Sequence, residues 1–120
     1  MTERAIETID PSSGRRLATY ALHSPQEALE RVRRAASAQA GWAKLSTKKR
    51  AAFLPLLAAE LRKEKQGLAR LICQEMGKAQ AEAEAEIEKC VTCAEYYFCH
   101  GPGFLDPIPA RTEGSRSFVA

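Results

Sequence analysis

The residues best suited to chemistry lie together in the second half of the chain. The stretch EKCVTCAEYYFCHGPGF, residues 88–104, holds three cysteines, one histidine and four aromatic rings. Cysteine thiolates and imidazole nitrogens bind zinc, and paired cysteines carry out thiol–disulfide exchange. The stretch therefore supports two hypotheses, a metal or redox centre and a helix face built from soft, bulky side chains.

The spacing of the cysteines argues against a metal centre. On a helix that advances about 100° per residue, Cys93 lies about 60° from Cys90, whereas Cys99 falls on the opposite side. One helix cannot direct all three thiolates at one ion. The remaining cysteine and histidine, Cys73 and His23, are far from each other in the sequence and supply no second ligand pair. We predict no metal-binding residue.

A redox role is also disfavoured by position. A thioredoxin-like pair sits at a helix N-terminus, which favours the thiolate, whereas Cys90 follows many residues of predicted helix. Nothing in the sequence indicates secretion, so we expect reduced, structural thiols. We interpret His23 and His100 as noncatalytic polar residues. Before these cysteines, every second residue is acidic, and we interpret this pattern as a solvated helix surface. The acidic residues are Glu82, Glu84, Glu86 and Glu88.

Common catalytic motifs are missing from the sequence. The run Gly101-Pro102-Gly103 lacks a further glycine and does not open a helix after a strand, so it is no phosphate-binding loop. The sequence also contains neither a Gly-x-Ser-x-Gly elbow nor a His-Glu-x-x-His motif. From the residues alone we predict no catalytic residue and no cofactor-binding residue in this chain.

Length and composition indicate one ordinary globular unit. The chain has 120 residues, of which 45% are hydrophobic and 28% charged, and we treat residues 1–120 as a single segment. No apolar run is long enough to cross a bilayer, and the N-terminus does not resemble a cleavable leader. We therefore expect a cytoplasmic protein that does not contact membranes.

The charge pattern does not predict nucleic-acid binding. The net charge of +3 arises from 18 basic and 15 acidic residues that are interleaved along the chain. The tightest basic clusters lie on predicted helices without interleaved aromatic residues, so we interpret them as solvated faces. These clusters are Arg31, Arg33 and Arg34, and Lys48, Lys49 and Arg50.

The N-terminal part predicts a β-hairpin followed by a well-capped helix. Pro11 presets a turn and Gly14 accepts a positive φ, so residues 5–22 are expected to form two short strands. Ser24 can cap a helix, Pro25 suits its first position, and Glu27 completes a capping box. Helix one should run from Pro25 to about Gly41, with apolar residues at helical spacing at Ala28, Val32, Ala35 and Trp42.

Two further helical segments are expected before the acidic region. Ser46 is a predicted cap, and Pro55 should bend the helix that begins after Ser46, unless the first turn of that helix starts late. The apolar stripe of that helix is predicted to comprise Phe53, Leu54, Leu57, Ala58 and Leu61. After a charged stretch at 62–66, a shorter helix should end at Gly77 in the left-handed conformation, with Leu68, Leu71 and Ile72 pointing inward.

A long helix is predicted from Ala79 to about Cys99, ended by Gly101, Pro102 and Gly103. Its second half has one predicted contact face, made of Ile87, Cys90, Val91, Ala94, Tyr97 and Phe98. The predicted fold is mainly α, with three to four helices at 25–100, an N-terminal hairpin at 5–22 and an extended C-terminal arm at 101–120. The run RSFVA is expected to form a strand at the end of that arm.

Three segments read together resemble a known family. They are IDPSSGRRLATYALHS, the run LARLICQEMGKAQAEAEAEIEKC, and EYYFCHGPGFL with the later SRSFVA. Together they resemble the N-terminal portion of the NAD(P)-dependent aldehyde dehydrogenases, with the greatest likeness to the succinate-semialdehyde dehydrogenase branch. The most specific part is Glu75-Met76-Gly77-Lys78 followed by an acidic helix. Pro55 departs from the continuous helix usual in that family.

The resemblance implies a scaffold within an oxidoreductase fold. In that family, the corresponding hairpin and helices pack against the nucleotide-binding domain, and the arm enters an oligomerisation sheet. The family's nucleophile, base, oxyanion-binding asparagine and NAD or NADP site match no position here. The chain alone is therefore expected to bind no cofactor and to be inactive. The alternative is a non-enzymatic helical module that forms a homo-oligomer through exposed apolar helix faces.

Overall fold

The fold is mainly helical, as the sequence predicts. The computed structural model describes residues 5–110, 113–114 and 118–119. In chain order the elements are β1 (Ala5–Ile9), β2 (Arg16–Ala21), α1 (Pro25–Trp42), α2 (Thr47–Ala51), α3 (Leu54–Lys63), α4 (Lys65–Met76), α5 (Gln80–Phe104), β3 (Ile108–Pro109) and β4 (Phe118–Val119). β1 pairs with β2 and β3 with β4, both antiparallel.

The predicted N-terminal hairpin is confirmed. Ala5 pairs with Ala21 and Thr8 with Ala18, and the register then shifts so that Leu17 has no direct partner. The Asp10 carboxylate closes the turn by accepting hydrogen bonds from the Ser12 amide, at 2.8 Å, and the Ser13 hydroxyl, also at 2.8 Å. An aspartate that bonds its own backbone two residues onward stabilises such a turn.

The predicted start of α1 is confirmed in detail. The Glu27 amide donates to Ser24 Oγ at 3.2 Å, and the Ser24 amide donates to a Glu27 carboxylate oxygen at 2.7 Å. This reciprocal capping box satisfies two backbone donors that the first turn leaves unpaired. The helix ends at Trp42, one residue beyond the predicted end.

Pro55 breaks the helix instead of bending it, which corrects the sequence prediction. Ser46 caps α2 as expected, but α2 ends after five residues, at Ala51. A new helix, α3, begins at Leu54 with Pro55 in its first turn. Proline is tolerated there because the first-turn amides lack intrahelical acceptors. Restarting the helix therefore avoids the cost of a proline in a helix interior, which is about 3 kcal/mol.

Gly77 links the helices to the hairpin. It ends α4 with φ 69°, the predicted left-handed cap, and its amide donates to the Cys73 carbonyl at 2.9 Å. A Cβ at this position would lie 3.1 Å from Cγ of Pro11 in the hairpin turn. Glycine is therefore required twice over, for its conformation and for the close approach of the two segments.

The end of α5 corrects a second prediction. The helix continues through Gly101, Pro102 and Gly103 and ends at Phe104, five residues beyond Cys99. Pro102 lies in the last turn and removes only one backbone donor there. Gly101 and Pro102 are half-buried, and α2 packs against α5, so tertiary contact offsets the poor helix propensity of these residues. The arm predicted at 101–120 therefore starts only after the helix.

The core lies where α3 and α4 pack on α5. Its buried cluster is formed by Ala58, Val91 and Ala94, with Leu54 and Leu61 packed against it. Ala69 of α4 and Ala83 of α5 are also fully buried. Small alanine side chains let the helix axes approach closely, although each buries little apolar area.

The α1 helix stands apart from that core. None of its 18 residues, all of which the structure describes, is buried, and Val32 is 63% exposed. At the end of α1, the ring of Trp42 contacts the ring of Phe53, with their centroids 5.2 Å apart. The radius of gyration is 21.1 Å, with extents of 67 × 42 × 25 Å. A compact domain of this length would have about 14 Å, so the chain is extended.

The C-terminal region forms a minimal sheet. Ile108 pairs with Val119 and Pro109 with Phe118. The strand predicted in RSFVA is thus confirmed at Phe118–Val119, and its remaining residues lie outside the described part of the chain.

Candidate functional site

The α5 helix carries the residues that the sequence singled out, but it does not bury them as predicted. Ile87, Val91 and Ala94 face the core, whereas Cys90 is exposed and the Tyr97 and Phe98 side chains are 49% and 42% exposed. The contact face is therefore narrower than predicted, because α3 and α4 cover only one side of α5. This corrects the placement of these three residues in the contact face.

The cysteines do not form a nucleophile–base arrangement. Cys90, Cys93 and Cys99 are exposed, and the half-buried Cys73 lies 3.4 Å from the amide oxygen Oε1 of Gln80. An amide cannot take a proton from a thiol as a base would. Nucleophilic catalysis requires a base within hydrogen-bond reach of the thiol, and none of these four described thiols has a hydrogen bond to a base. Of the cysteines, only Cys90 was predicted to lie in the contact face, and its exposure contradicts that placement.

The histidine of this region belongs to an aromatic ladder. The His100 ring lies 4.7 Å from the Tyr96 ring and 6.3 Å from the Phe104 ring, centroid to centroid. These residues are spaced four apart and stack along one side of α5. Such contacts fix the orientation of the rings and add about 0.5–1.5 kcal/mol per aromatic pair. The arrangement gives His100 a packing role, and His23 is exposed next to the cap of α1.

Three of the four alternating acidic residues of α5 are half-buried and have polar partners, which corrects their interpretation as a solvated surface. Glu84, Glu86 and Glu88 are half-buried, and only Glu82 of the four is exposed. The Lys78 ammonium pairs with Glu86 and holds the pKa of that carboxyl below its usual value. The Gln80 amide donates to Glu84 at 2.9 Å and lowers its pKa in the same way.

A network of opposite charges connects α3, α4 and α5. Arg62 reaches Glu95 at 2.6 Å and Glu88 at 3.7 Å, and Lys65 reaches Glu88 at 3.4 Å. The hydrogen bond from Arg62 lowers the pKa of Glu95. A carboxylate held ionised in this way, as Glu95 is, does not act as a general acid at neutral pH. The network positions helices and is not a catalytic pair.

Sequence reasoning could not find these ion pairs. Arg62 and Glu95 are 33 positions apart, and Lys65 and Glu88 are 23 apart. No local spacing rule connects residues at such distances, since the helix rule concerns neighbours three or four apart. The sequence signal for these ion pairs was limited to an excess of basic residues at 62–65 and an excess of acidic residues at 82–88.

An open groove runs along α5 beside Lys65. Its volume is about 920 Å³, and its walls include Glu88, Lys89, Cys93 and Tyr96. A second groove of about 390 Å³ lies between the end of α1, α2 and the end of α5, lined by Trp42 among others. Both are open depressions with mostly apolar walls. Such surfaces suit packing against another polypeptide surface more than enclosure of a small substrate.

Metal and membrane sites are not evident in the described residues. In residues 5–110, 113–114 and 118–119, no group of three or more His, Cys, Asp or Glu side chains converges to hold a metal ion. Within the same ranges, every helix is too short or too polar to cross a bilayer.

Comparison with known proteins assigns the family. The profile of the aldehyde dehydrogenase family matches residues 1–119. This chain therefore belongs to the aldehyde dehydrogenase family, as its resemblance predicted.

The relatives and solved structures agree with that assignment. An aldehyde dehydrogenase from Paenarthrobacter nicotinovorans is 36% identical over 109 residues, which cover 88% of this chain and 24% of the relative. A succinate-semialdehyde dehydrogenase [NADP(+)] from Deinococcus radiodurans is 31% identical, with 88% and 22% covered. The crystal structure of succinic semialdehyde dehydrogenase from Streptococcus pyogenes in complex with NADP+ superposes with a TM-score of 0.85, at 27% identity, covering 93% of this chain and 25% of that one.

The match covers only part of each relative. The chain spans about a quarter of their length. It nevertheless reproduces the fold of that quarter, because the TM-score is high over nearly all of its residues.

The described residues do not fit the dinucleotide that the family uses. A dinucleotide pyrophosphate is bound by a glycine-rich turn between a strand and a helix N-terminus. Here the two described glycines with positive φ, Gly14 and Gly77, lie in a hairpin turn and at a helix C-terminus. We therefore derive no catalytic step through a nicotinamide from this chain.

Proposed function

We propose that this chain is a structural segment of an NAD(P)-dependent aldehyde dehydrogenase and supplies no catalytic group. The reaction of the whole enzyme is oxidation of an aldehyde to a carboxylic acid, and succinate semialdehyde is the proposed substrate. The cytoplasm is the proposed compartment, where four reduced thiols are expected. NAD or NADP would bind to other residues of the whole enzyme.

The observation that carries this proposal is the exposure of α1. The helix has a capping box and apolar residues at helical spacing, yet Leu29 is 50% and Val32 63% exposed. An amphipathic helix gains most of its stability by packing its apolar face. The apolar residues of the hairpin, Ile6, Ile9 and Tyr20, are also more than half exposed. Exposed apolar surfaces of this kind are typical of faces that pack against another protein layer.

The names of the relatives support the substrate and the cofactor. Succinate-semialdehyde dehydrogenases recur among them, with NADP(+) named for the Deinococcus radiodurans protein and for a Synechocystis protein that is 29% identical. Malonate-semialdehyde and 1-pyrroline-5-carboxylate dehydrogenases also match, at 31% and 32% identity. The semialdehyde of a dicarboxylic acid is the substrate class that appears most often in these names.

An activity assay tests the absence of catalysis. The purified 120-residue chain is incubated with succinate semialdehyde and NAD or NADP, and formation of the reduced nicotinamide is followed by absorbance. The Deinococcus radiodurans enzyme serves as the positive control. We expect no turnover by the chain. Turnover that scales with the amount of chain, and that persists after further purification, would contradict the proposal.

A second candidate function is self-association as a helical interaction module. The favouring observation is the extended shape, with a radius of gyration of 21.1 Å and many large apolar side chains exposed. In the isolated chain, a second copy can cover these faces, and C₂ dimers are the commonest solution. Light scattering at several concentrations is expected to give a dimer or a larger oligomer. A monomer with a sharp cooperative melt would contradict this candidate.

A further inference from the structure

We propose that Cys90 and Cys93 form a two-coordinate site for a soft monovalent cation, with Cu(I) as the type ion. This inference concerns the thiols of α5 in the 120-residue chain, and for that chain it does not depend on the proposed function. It begins with the exposure of both side chains, so neither thiol is buried in the contact of α5 with α3 and α4. Two reduced thiols on one rigid helix are then available to a ligand.

The helix holds the two thiols at a separation suited to a bridging ion. Residues three apart on a helix have Cβ atoms about 5–6 Å apart, whereas a disulfide requires about 3.8 Å. A direct disulfide would therefore distort α5. A linear thiolate–metal–thiolate unit separates its sulfurs by two metal–sulfur bonds, on the order of 4–5 Å when the zinc–sulfur bond of about 2.3 Å is taken as a guide. That distance fits Cys90 and Cys93 without unwinding the helix.

The number of ligands selects the type of ion. Zinc takes four ligands in structural sites, and no third Cys, His, Asp or Glu ligand joins the pair within the described residues. Thiolate ligands favour soft ions, and Cu(I) is the soft ion of this class. The other exposed cysteine of this helix, Cys99, lies on the opposite side of α5, about 180° from Cys90.

The surroundings suit the charge of the complex. Two thiols and one Cu(I) give an anionic dithiolate and release two protons, with no change of oxidation state. Lys89 precedes Cys90, lies one turn before Cys93 and lines the same groove as Cys93. The nearest carboxylate one turn before Cys90 is Glu86, which is already paired with Lys78. Because protons are released, binding should tighten as the pH rises.

The test is an anaerobic Cu(I) titration of the reduced 120-residue chain against bicinchoninate, a coloured competitor. One ion per chain is expected. The substitutions C90S and C93S should each weaken binding by about 100-fold or more, because the second thiolate acts at a high effective concentration. The matched controls C99S and C73S should leave the affinity unchanged. Circular dichroism of each variant shows that α5 is retained.

Two results would overturn the proposal. If C99S and C73S weaken binding as much as C90S and C93S do, the copper is held by unspecific thiols. If one ion is bound per two chains, and copper drives dimer formation in light scattering, the thiolates come from different chains and not from one helix. A retained one-to-one complex whose loss is confined to C90S and C93S supports the site.

Discussion

Two helices of this chain, α1 and α5, have similar sequence patterns but lie in different environments. Both are long, rich in alanine and have apolar residues at helical spacing. Val91 of α5 is fully buried, whereas Val32 of α1 is 63% exposed. This difference shows that the local sequence determines whether a helix forms and where it starts. Whether its apolar face is buried depends on a partner, which α5 finds in α3 and α4.

The largest contrast is expected from a charge placed on each of these two valines. Val91→Asp should destabilise the chain by about 4 kcal/mol or more, because the carboxylate would be buried without a partner. The matched variant Val32→Asp should change stability by no more than about 0.5 kcal/mol, since that position faces solvent. Urea unfolding followed by circular dichroism measures both. Equal losses in the two variants would show that α1 is packed in solution.

Substituting glycine by alanine should change the stability of the chain in opposite directions in the two regions. Gly77→Ala is expected to cost about 1–2 kcal/mol, because alanine resists a positive φ and its Cβ would press on Pro11. Gly41→Ala, near the end of α1, has nothing within 4 Å of its added Cβ and should stabilise by about 0.5 kcal/mol. Thermal unfolding of both variants provides the measurement. A Gly77→Ala protein as stable as the parent would refute the close contact between cap and hairpin.

Acidification should weaken the contact between α3 and α5. The hydrogen bond from Arg62 lowers the pKa of Glu95 from its ordinary 4.5. A group with a lowered folded-state pKa stabilises fully above its unfolded value, and this contribution is lost as the pH falls through the folded value. Glu95→Gln should therefore reduce the urea midpoint at neutral pH and flatten its dependence below about pH 4.5.

The control for that titration lies in α1. Glu30→Gln removes a carboxylate that lies 3.9 Å from Arg33 within one exposed helix. Its urea midpoint should match the parent at neutral pH, because exposed pairs within a helix contribute little. A loss as large as that in Glu95→Gln would mean that the ion pair between helices has no special role.

The smallest expected effect is local to the hairpin turn. The Ser12 and Ser13 hydroxyls donate to Asp10 and lower its pKa to about 2. The turn should therefore stay intact above the ordinary value of 3.8 and loosen as the pH falls toward about 2. The double variant Ser12→Ala with Ser13→Ala should move the Asp10 titration upward, as followed by NMR of its carboxyl carbon. An unchanged titration would contradict the assigned hydrogen bonds.

Features governed by neighbouring residues could be predicted from the sequence. The capping box of Ser24 and Glu27, the left-handed cap at Gly77 and the hairpin turn after Asp10 each depend on contacts within a few positions. Backbone donors and steric limits at these sites leave few alternatives. The family could also be predicted, because the resemblance depends on sequence alone.

Features governed by tertiary contacts were not predicted. The helix passes through Pro102 because packing against α2 offsets a local preference to end. Cys90 points away from the core because α3 and α4 cover a narrower strip of α5 than its apolar residues span. The pairing of Arg62 with Glu95 depends on the packing of two helices distant in sequence. In each case long-range geometry overrides or completes the local pattern.

Hydrogen exchange of the 120-residue chain tests the central claim most directly. The claim is that α3, α4 and α5 form a self-supporting core, whereas α1 requires a cover that the described residues do not provide. The account predicts slow exchange for amides around Ile87, Val91 and Ala94, and exchange near the unprotected rate for residues 28–40 of α1. Equal protection of α1 and α5 in a monomeric chain would contradict it.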